Sequence, residues 1–511
     1  WVALGQGASA VTAVERNLLL AQTSGDVYSQ DRVQLVLEEG RSYAHRSEET
    51  FDLVHLVLGD SYRPVTSGAY SLGERYDLTV EAFQDYMTRL EPGGLLLVER
   101  WLQLPPSELL RAGATAVEAL RQSGTKDPAV QLVVLRSWQV GLILVKNGTF
   151  TPDELAAIRA FGRQQELDLV ALPGLTEAEA NQLNVLVEPV YFRAFSQLLA
   201  DPEVVYAEQP SDVRPTTDDR PFFFHFFRWA QTRAIFQQLG KTWQPWGGSG
   251  FFVLVALLAV ALVASAVLIL LPLALAPSAR TKPGSKKAPR ARMFVYFGLL
   301  GLGFLFVEIP LMQRFILFLG QPIFAFTAVL ASLLLFSGLG SLASPRLPSR
   351  QVLPLLVVAI LLYPLGLTLL FETLLGASMA LRLIATGLCL APLGFLMGIP
   401  FPGGLDWLRR QAPSLIPWAW AINGSTSVLA SILAAIIALS AGFSWVLVAA
   451  ALAYAGAWLA LRENPAPSTA ICPCPLSLVQ SLYHEGYTST TSTQMDRQSR
   501  ELSRYAGSPA G

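Results

Sequence analysis

Charge is what this chain has least of. Asp, Glu, Lys and Arg make up 15% of its 511 residues, where a soluble domain carries about 25%. Hydrophobic residues reach 52%, which excludes a wholly disordered protein. Cysteine is nearly absent: Cys389 lies in an apolar run, Cys472 and Cys474 in a polar C-terminal stretch. No disulfide framework follows, and no His or Cys has ligand spacing to an acid pair, so no metal is expected. No basic stripe runs through the acidic half, which argues against nucleic acid as a partner. The chain opens on Trp1 without a basic-then-apolar signal segment, and is read as a fragment that lacks its beginning.

The net charge of −1 averages two unlike parts. Residues 1–250 hold 21 Lys and Arg against 31 Asp and Glu, whereas residues 251–464 hold 13 against 4. The texture changes at Gly247-Gly248-Ser249-Gly250. Before it, β-type runs at Val11–Val14, Val33–Leu37, Phe51–Leu58 and Gly94–Glu99 alternate with helical patterns. The apolar positions Val80, Phe83, Met87 and Leu90 recur at helical spacing, and Glu91-Pro92-Gly93-Gly94 stops that helix. Val130–Leu135 and Val140–Val145 stand a few residues apart and predict an antiparallel pair. Unbroken apolar strands between helices predict a parallel α/β sheet of Rossmann-like, methyltransferase type. It would be incomplete at its N-terminus, because no glycine-rich turn precedes the first strand. The expected organisation is this domain over 1–150, an α+β extension with an aromatic juxtamembrane segment over 151–250, an all-α polytopic membrane domain over 251–463, and a disordered tail over 464–511.

Glu15 ends the first strand, where nucleotide-binding α/β domains place an acid on ribose hydroxyls. Taken with Glu39-Gly40-Arg41, Phe51-Asp52, Asp60 and Leu90-Glu91-Pro92-Gly93-Gly94, this stretch resembles a spermidine-synthase-like domain. Gly68-Ala69-Tyr70-Ser71-Leu72, Tyr76–Phe83, Arg214–Phe224 and membrane segments around Glu308, Gly398–Pro402 and Asn423 resemble the bacterial branch in which that domain is joined to membrane helices. The resemblance implies that Glu15 holds the ribose, and that Glu39 with Gly40 lies near the adenine of S-adenosylmethionine or its decarboxylated form. It implies that Asp60 faces an amine substrate, with Tyr70, Glu74 and Tyr76 near it. The family's first loop acid, which helps deprotonate the attacking amine, falls on Val57. A valine accepts no proton, and aminopropyl transfer needs a neutral amine. Asp218 and Asp219 are expected to cap a turn and pair with Arg214 or Arg220. Trp229, Trp243 and Trp246 read as an anchor at the lipid boundary.

Seven runs reach the roughly 20 apolar residues that a span requires: 251–276, 293–313, 321–343, 351–371, 378–400, 417–440 and 443–461. The fifth carries Arg382 near its start. Glu308, followed by Pro310, Gln313 and Arg314, is either a polar membrane site or the partner of Arg314 or a neighbouring helix. Asn423, Gly424, Ser425 and Ser427 give a small-residue packing face. With seven spans, the basic connectors 277–292, 344–350 and 401–416 share one side, which charge bias makes cytoplasmic. The expected setting is therefore the plasma (inner) membrane, with the lipid bilayer and a small amine or metabolite as partners. Two functions stand open: a transferase moving an aminopropyl or methyl group, or a transporter or sensor with a non-catalytic ligand-binding domain.

Overall fold

The computed structural model describes residues 2–23, 25–59, 71–232, 249–275 and 290–462. Asp60, Tyr70, Trp243, Trp246 and the tail lie outside the described residues.

The Val- and Leu-rich runs form seven named strands: β1 (Val11–Val14), β2 (Val33–Val36), β3 (Phe51–Leu56), β4 (Leu90–Trp101), β5 (Leu132–Arg136), β6 (Val140–Lys146) and β7 (Asp168–Ala171). Helices separate them: α1 (Val2–Gly5), α2 (Leu18–Thr23), α3 (Gly40–Arg46), α4 (Val80–Met87), α5 (Glu108–Gln122) and α6 (Pro152–Gln164). After β7 come α7 (Val190–Ala200) and α8 (Pro202–Glu208). β1 and β2 form a parallel pair of their own, and the other strands form a sheet in the order β3-β4-β6-β5-β7. Within that sheet β3 and β4 are parallel, while the β4–β6, β6–β5 and β5–β7 pairings are antiparallel. The expected antiparallel pair at Val130–Val145 is present. The expected parallel pairing appears, among the described residues, as two separate pairs, β1–β2 and β3–β4, the second of them part of a mixed sheet.

Burial follows the topology. All of β5 is buried, whereas β4 alternates buried and half-buried positions from Gly94 on. Phe83, Leu96, Val98, Leu109, Ile143 and Phe195 have no exposed surface and knit α4, α5 and α7 to the sheet. β7 pairs with β5, so residues beyond 150 complete the same sheet as residues before it.

The membrane part holds seven helices, among the described residues, that are long and apolar enough to cross a bilayer. They are span 1 (Gly250–Leu275), span 2 (Ala291–Leu319), span 3 (Pro322–Ala343), span 4 (Ser349–Leu374), span 5 (Met379–Gln411), span 6 (Pro413–Ala441) and span 7 (Phe443–Leu461). Arg382 does not interrupt span 5: the buried guanidinium donates to the Phe318 carbonyl at 2.9 Å, at the end of span 2. Spans 2 and 6 run in the same direction. Asn423 Nδ2 donates to the Phe297 carbonyl at 3.1 Å and Ser427 Oγ to the Gly301 carbonyl at 3.3 Å, the same offset in both. The sheet domain meets the far end of this bundle, at Gln313–Arg314, Gly376 and Phe443–Ser444. Arg346, between spans 3 and 4, and Arg409 and Arg410, at the end of span 5, therefore lie at the opposite end.

Spans 3 and 5 approach most closely through glycine. A Cβ on Gly340 would strike the Phe395 backbone carbonyl, and one on Gly398 the Ser337 carbonyl, whereas Gly338 faces open space. Gly340→Val should force these helices apart and destabilise the protein by about 1–3 kcal/mol. Melting of the purified, detergent-solubilised protein checks this. A clear drop is expected for Gly340→Val and little change for Gly338→Val.

Candidate functional site

Glu15 and Glu39, singled out in the sequence, sit just past the carboxyl ends of β1 and β2. Glu15 follows β1 directly; its N–H donates to the Val36 carbonyl at 2.9 Å. Its carboxylate accepts from the Asn17 N–H at 2.6 Å. Glu39 follows β2 and caps α3, its carboxylate accepting from the Ser42 N–H at 2.8 Å. Burial pushes the Glu39 carboxyl up from its ordinary range, against the pull of the Ser42 and Arg41 N–H groups. Gly40, the first residue of α3, is exposed, and a Cβ there would meet nothing within 4 Å.

The next residue dominates the region. The Arg41 guanidinium, with its side chain 5% exposed, makes a two-pronged ion pair with Asp218: Nη1 to Oδ1 at 2.6 Å and Nη2 to Oδ2 at 2.8 Å. Its Nε donates to Asp85 at 2.8 Å, and Nη1 also approaches the Tyr76 carbonyl at 3.2 Å and Thr79 Oγ1 at 3.3 Å. Burial alone would weaken its hold on its proton, but the charges of Asp218 and Asp85 prevail and keep it charged. Thr79, the N-cap of α4, also donates to Asp218 at 2.8 Å. The second oxygen of Asp85 lies 3.0 Å from His45 Nδ1.

Glu81 completes the cluster by accepting from the Asp218 N–H at 3.0 Å. Burial first, and the neighbouring Asp218 charge next, push the Glu81 carboxyl up to about 7. Glu74 is half-buried beside Tyr76, and burial raises its carboxyl as well.

The cluster reaches into the membrane part. Tyr76, expected beside an amine substrate, gives its hydroxyl to the Gln313 carbonyl of span 2 at 2.9 Å. Asp219 pairs with Arg314 of span 2 and accepts from the Ser444 N–H at 2.9 Å and its hydroxyl at 2.7 Å. Arg314 also donates to Ser444 Oγ at 2.8 Å. This corrects two expectations. Asp218 and Asp219 do not pair with Arg214 or Arg220, both of which bond Asp212. Glu308 does not pair with Arg314; it is buried inside span 2 and, among the described residues, has no ion pair. Asn423 packs span 6 onto span 2 at Phe297, consistent with the small-residue packing face.

Arg41, His45, Thr79, Glu81 and Asp85 form the centre of this cluster, and sequence reasoning passed over their roles. The one local signal was Arg41 beside a strand-end acid and a glycine. Asp218 stands 177 positions away, and no spacing rule joins them.

Arg41→Met would leave the half-buried Asp218 and Asp85 without their shared cation, and should cost about 1–3 kcal/mol, read as a lowered melting temperature. Because the folded protein holds the Glu81 proton up to about pH 7 and an unfolded chain releases it near 4.3, this group stabilises most at low pH. That contribution should fade as pH rises from about 4.3 to about 7. Melting curves from pH 5 to 8 should show this slope in the parent protein and a shallower one in Glu81→Gln.

No protein-family model matches the chain, and no curated protein matches it.

Proposed function

We propose that this is a membrane-bound, spermidine-synthase-like protein whose sheet domain binds a small adenosyl- or amine-type ligand and is mechanically joined to the membrane helices. The ligand face is the edge where β1 and β2 end, with Glu15 and Glu39 toward the sugar and base of an S-adenosylmethionine-type molecule. The observation that carries this reading is the chain of ion pairs that starts beside that edge. Arg41, next after Glu39-Gly40, grips Asp218, and the adjacent Asp219 grips Arg314 at the end of span 2. A ligand that shifts the start of α3 therefore acts on a helix end through two adjacent acids. This favours a sensor, or the ligand-responsive part of a transporter.

Two further points support binding without transfer. Val57, standing where the resemblance calls for a proton-accepting acid, is 66% exposed and offers no base. The connectors on the sheet domain's side, at Gly320-Gln321, Leu375–Ser378 and Gly442, carry no Lys or Arg, whereas among the described residues the other end holds Arg346, Arg409 and Arg410. Charge bias puts the basic end in the cytoplasm, and so the sheet domain outside it, away from the cellular pool of a sulfonium nucleotide. The second reading, a transferase moving an aminopropyl or methyl group to a small amine, is favoured by Glu15 and Glu39 standing at strand ends.

Calorimetry of the full chain in nanodiscs with methylthioadenosine, S-adenosylmethionine and spermidine tests the binding. Saturable heat with at least one, weakened tenfold or more in Glu15→Gln or Glu39→Gln, is expected; no heat with any of the three overturns it. Product formation from a decarboxylated donor and a diamine would replace the sensor by the transferase. For orientation, a membrane-impermeant maleimide on intact cells should label Thr125→Cys and spare Lys286→Cys, each in a background without the native cysteines. The reverse pattern would place the domain inside.

A further inference from the structure

We propose that the arginine cluster around Asp212, at the base of the sheet domain where it meets spans 1 and 7, binds a phosphate-type anion. Three guanidinium groups converge there on one carboxylate. Asp212, 6% exposed, accepts from Arg214 Nε at 2.9 Å and Nη2 at 2.7 Å, and from Arg220 Nη1 at 3.3 Å. Arg111 Nη2 comes within 3.8 Å of the same carboxylate. Glu203 acts on Arg214 at longer range without forming an ion pair. The cluster is thus left with an excess of positive charge.

The positions of the three cations differ in a way that suits a ligand. Arg111 is enclosed: it lies under the Phe226 ring at 4.3 Å, and its Nη1 and Nη2 donate to the Phe222, Phe223 and Asp212 carbonyls. Those groups solvate its charge and do not neutralise it. Arg220, with its side chain 15% exposed, uses Nη1 on Asp212, while its Nε and Nη2 have no partner among the described residues. Arg214, half-exposed, likewise leaves Nη1 unused. Two guanidinium edges thus stay open beside a charge that the protein leaves uncompensated. Forked donors of this kind match the oxygens of a phosphate.

The charges of Arg111, Arg220 and Arg214 are also felt by the neighbouring His225. His225 is 5% exposed, yet its Nδ1 is buried without a hydrogen-bond partner. Burial, reinforced by Arg111, pushes its imidazole down to about 3, so it remains a neutral ring with a polar edge to satisfy. The surroundings place this cluster at the depth of lipid headgroups. Phe227 stacks on Phe251 of span 1 with centroids 4.9 Å apart, Phe222 packs on Phe443 of span 7 at 5.5 Å, and Trp229 is exposed alongside. A phosphodiester of an anionic lipid and free inorganic phosphate share the chemistry that would engage the open edges of Arg214 and Arg220.

The test uses the full chain. Purified protein is melted in nanodiscs of phosphatidylcholine alone and with phosphatidylglycerol, and separately titrated with inorganic phosphate in the neutral lipid. Phosphatidylglycerol should raise the melting temperature and stay bound in native mass spectrometry, with retention falling tenfold or more in Arg214→Gln/Arg220→Gln. A shift with inorganic phosphate and none with the lipid would assign the site to free phosphate. If neither ligand shifts the parent protein, or the double variant responds as the parent does, the site is overturned. The comparison of lipids in the parent protein stands even if the double variant does not fold.

Discussion

One buried guanidinium organises this molecule. Arg41 gathers Asp218, Asp85, Thr79 and the Tyr76 carbonyl around it, and all three of its side-chain nitrogens are engaged. A charge so enclosed is costly unless it is paired and hydrogen-bonded. That requirement fixes α3, the start of α4 and the 216–220 turn relative to one another. The same turn carries Asp219, whose bonds to Arg314 and Ser444 lie at the ends of spans 2 and 7. A demand for electrostatic satisfaction inside the sheet domain thus becomes a constraint on how that domain stands on the membrane helices.

The two parts are held by different physics. In the sheet domain, area removed from water drives packing, and fully buried Phe83, Phe195 and Ile143 mark its centre. Between spans, where lipid is as apolar as leucine, close contact and hydrogen bonds matter more. Gly340 against Phe395, Gly301 against Asn423 and the Ser427 hydroxyl on the Gly301 carbonyl are contacts of that kind. At the junction, aromatic rings, ion pairs and the Tyr76 hydroxyl meet, and polar groups reach from one part to the other.

Much of the scaffold was legible in the chain. Apolar runs of span length, the strand runs and the antiparallel Val130–Val145 pair are local signals, and each reappears as an element. Span 5 survived Arg382 because a carbonyl 64 positions earlier receives its charge. What could not be read was partnership across distance. Asp218 and Asp219 look like a turn cap matched to Arg214 and Arg220, their nearest cations in sequence. In space the 216–220 turn faces Arg41 and Arg314, while Arg214 and Arg220 fold back on Asp212. Strand order was hidden for a related reason: alternating strands and helices set the class of element, while which strands join depends on contacts the sequence pattern does not contain.

The central claim, that Arg41 ties the strand ends to the membrane helices, is tested most directly by amide hydrogen exchange on the full chain in nanodiscs, comparing the parent protein with Arg41→Lys. The account predicts faster exchange at α3, in the 216–220 turn and at the helix ends around Gln313–Leu319 and Phe443–Val446. Faster exchange confined to α3, with the turn and both helix ends unchanged, would contradict it.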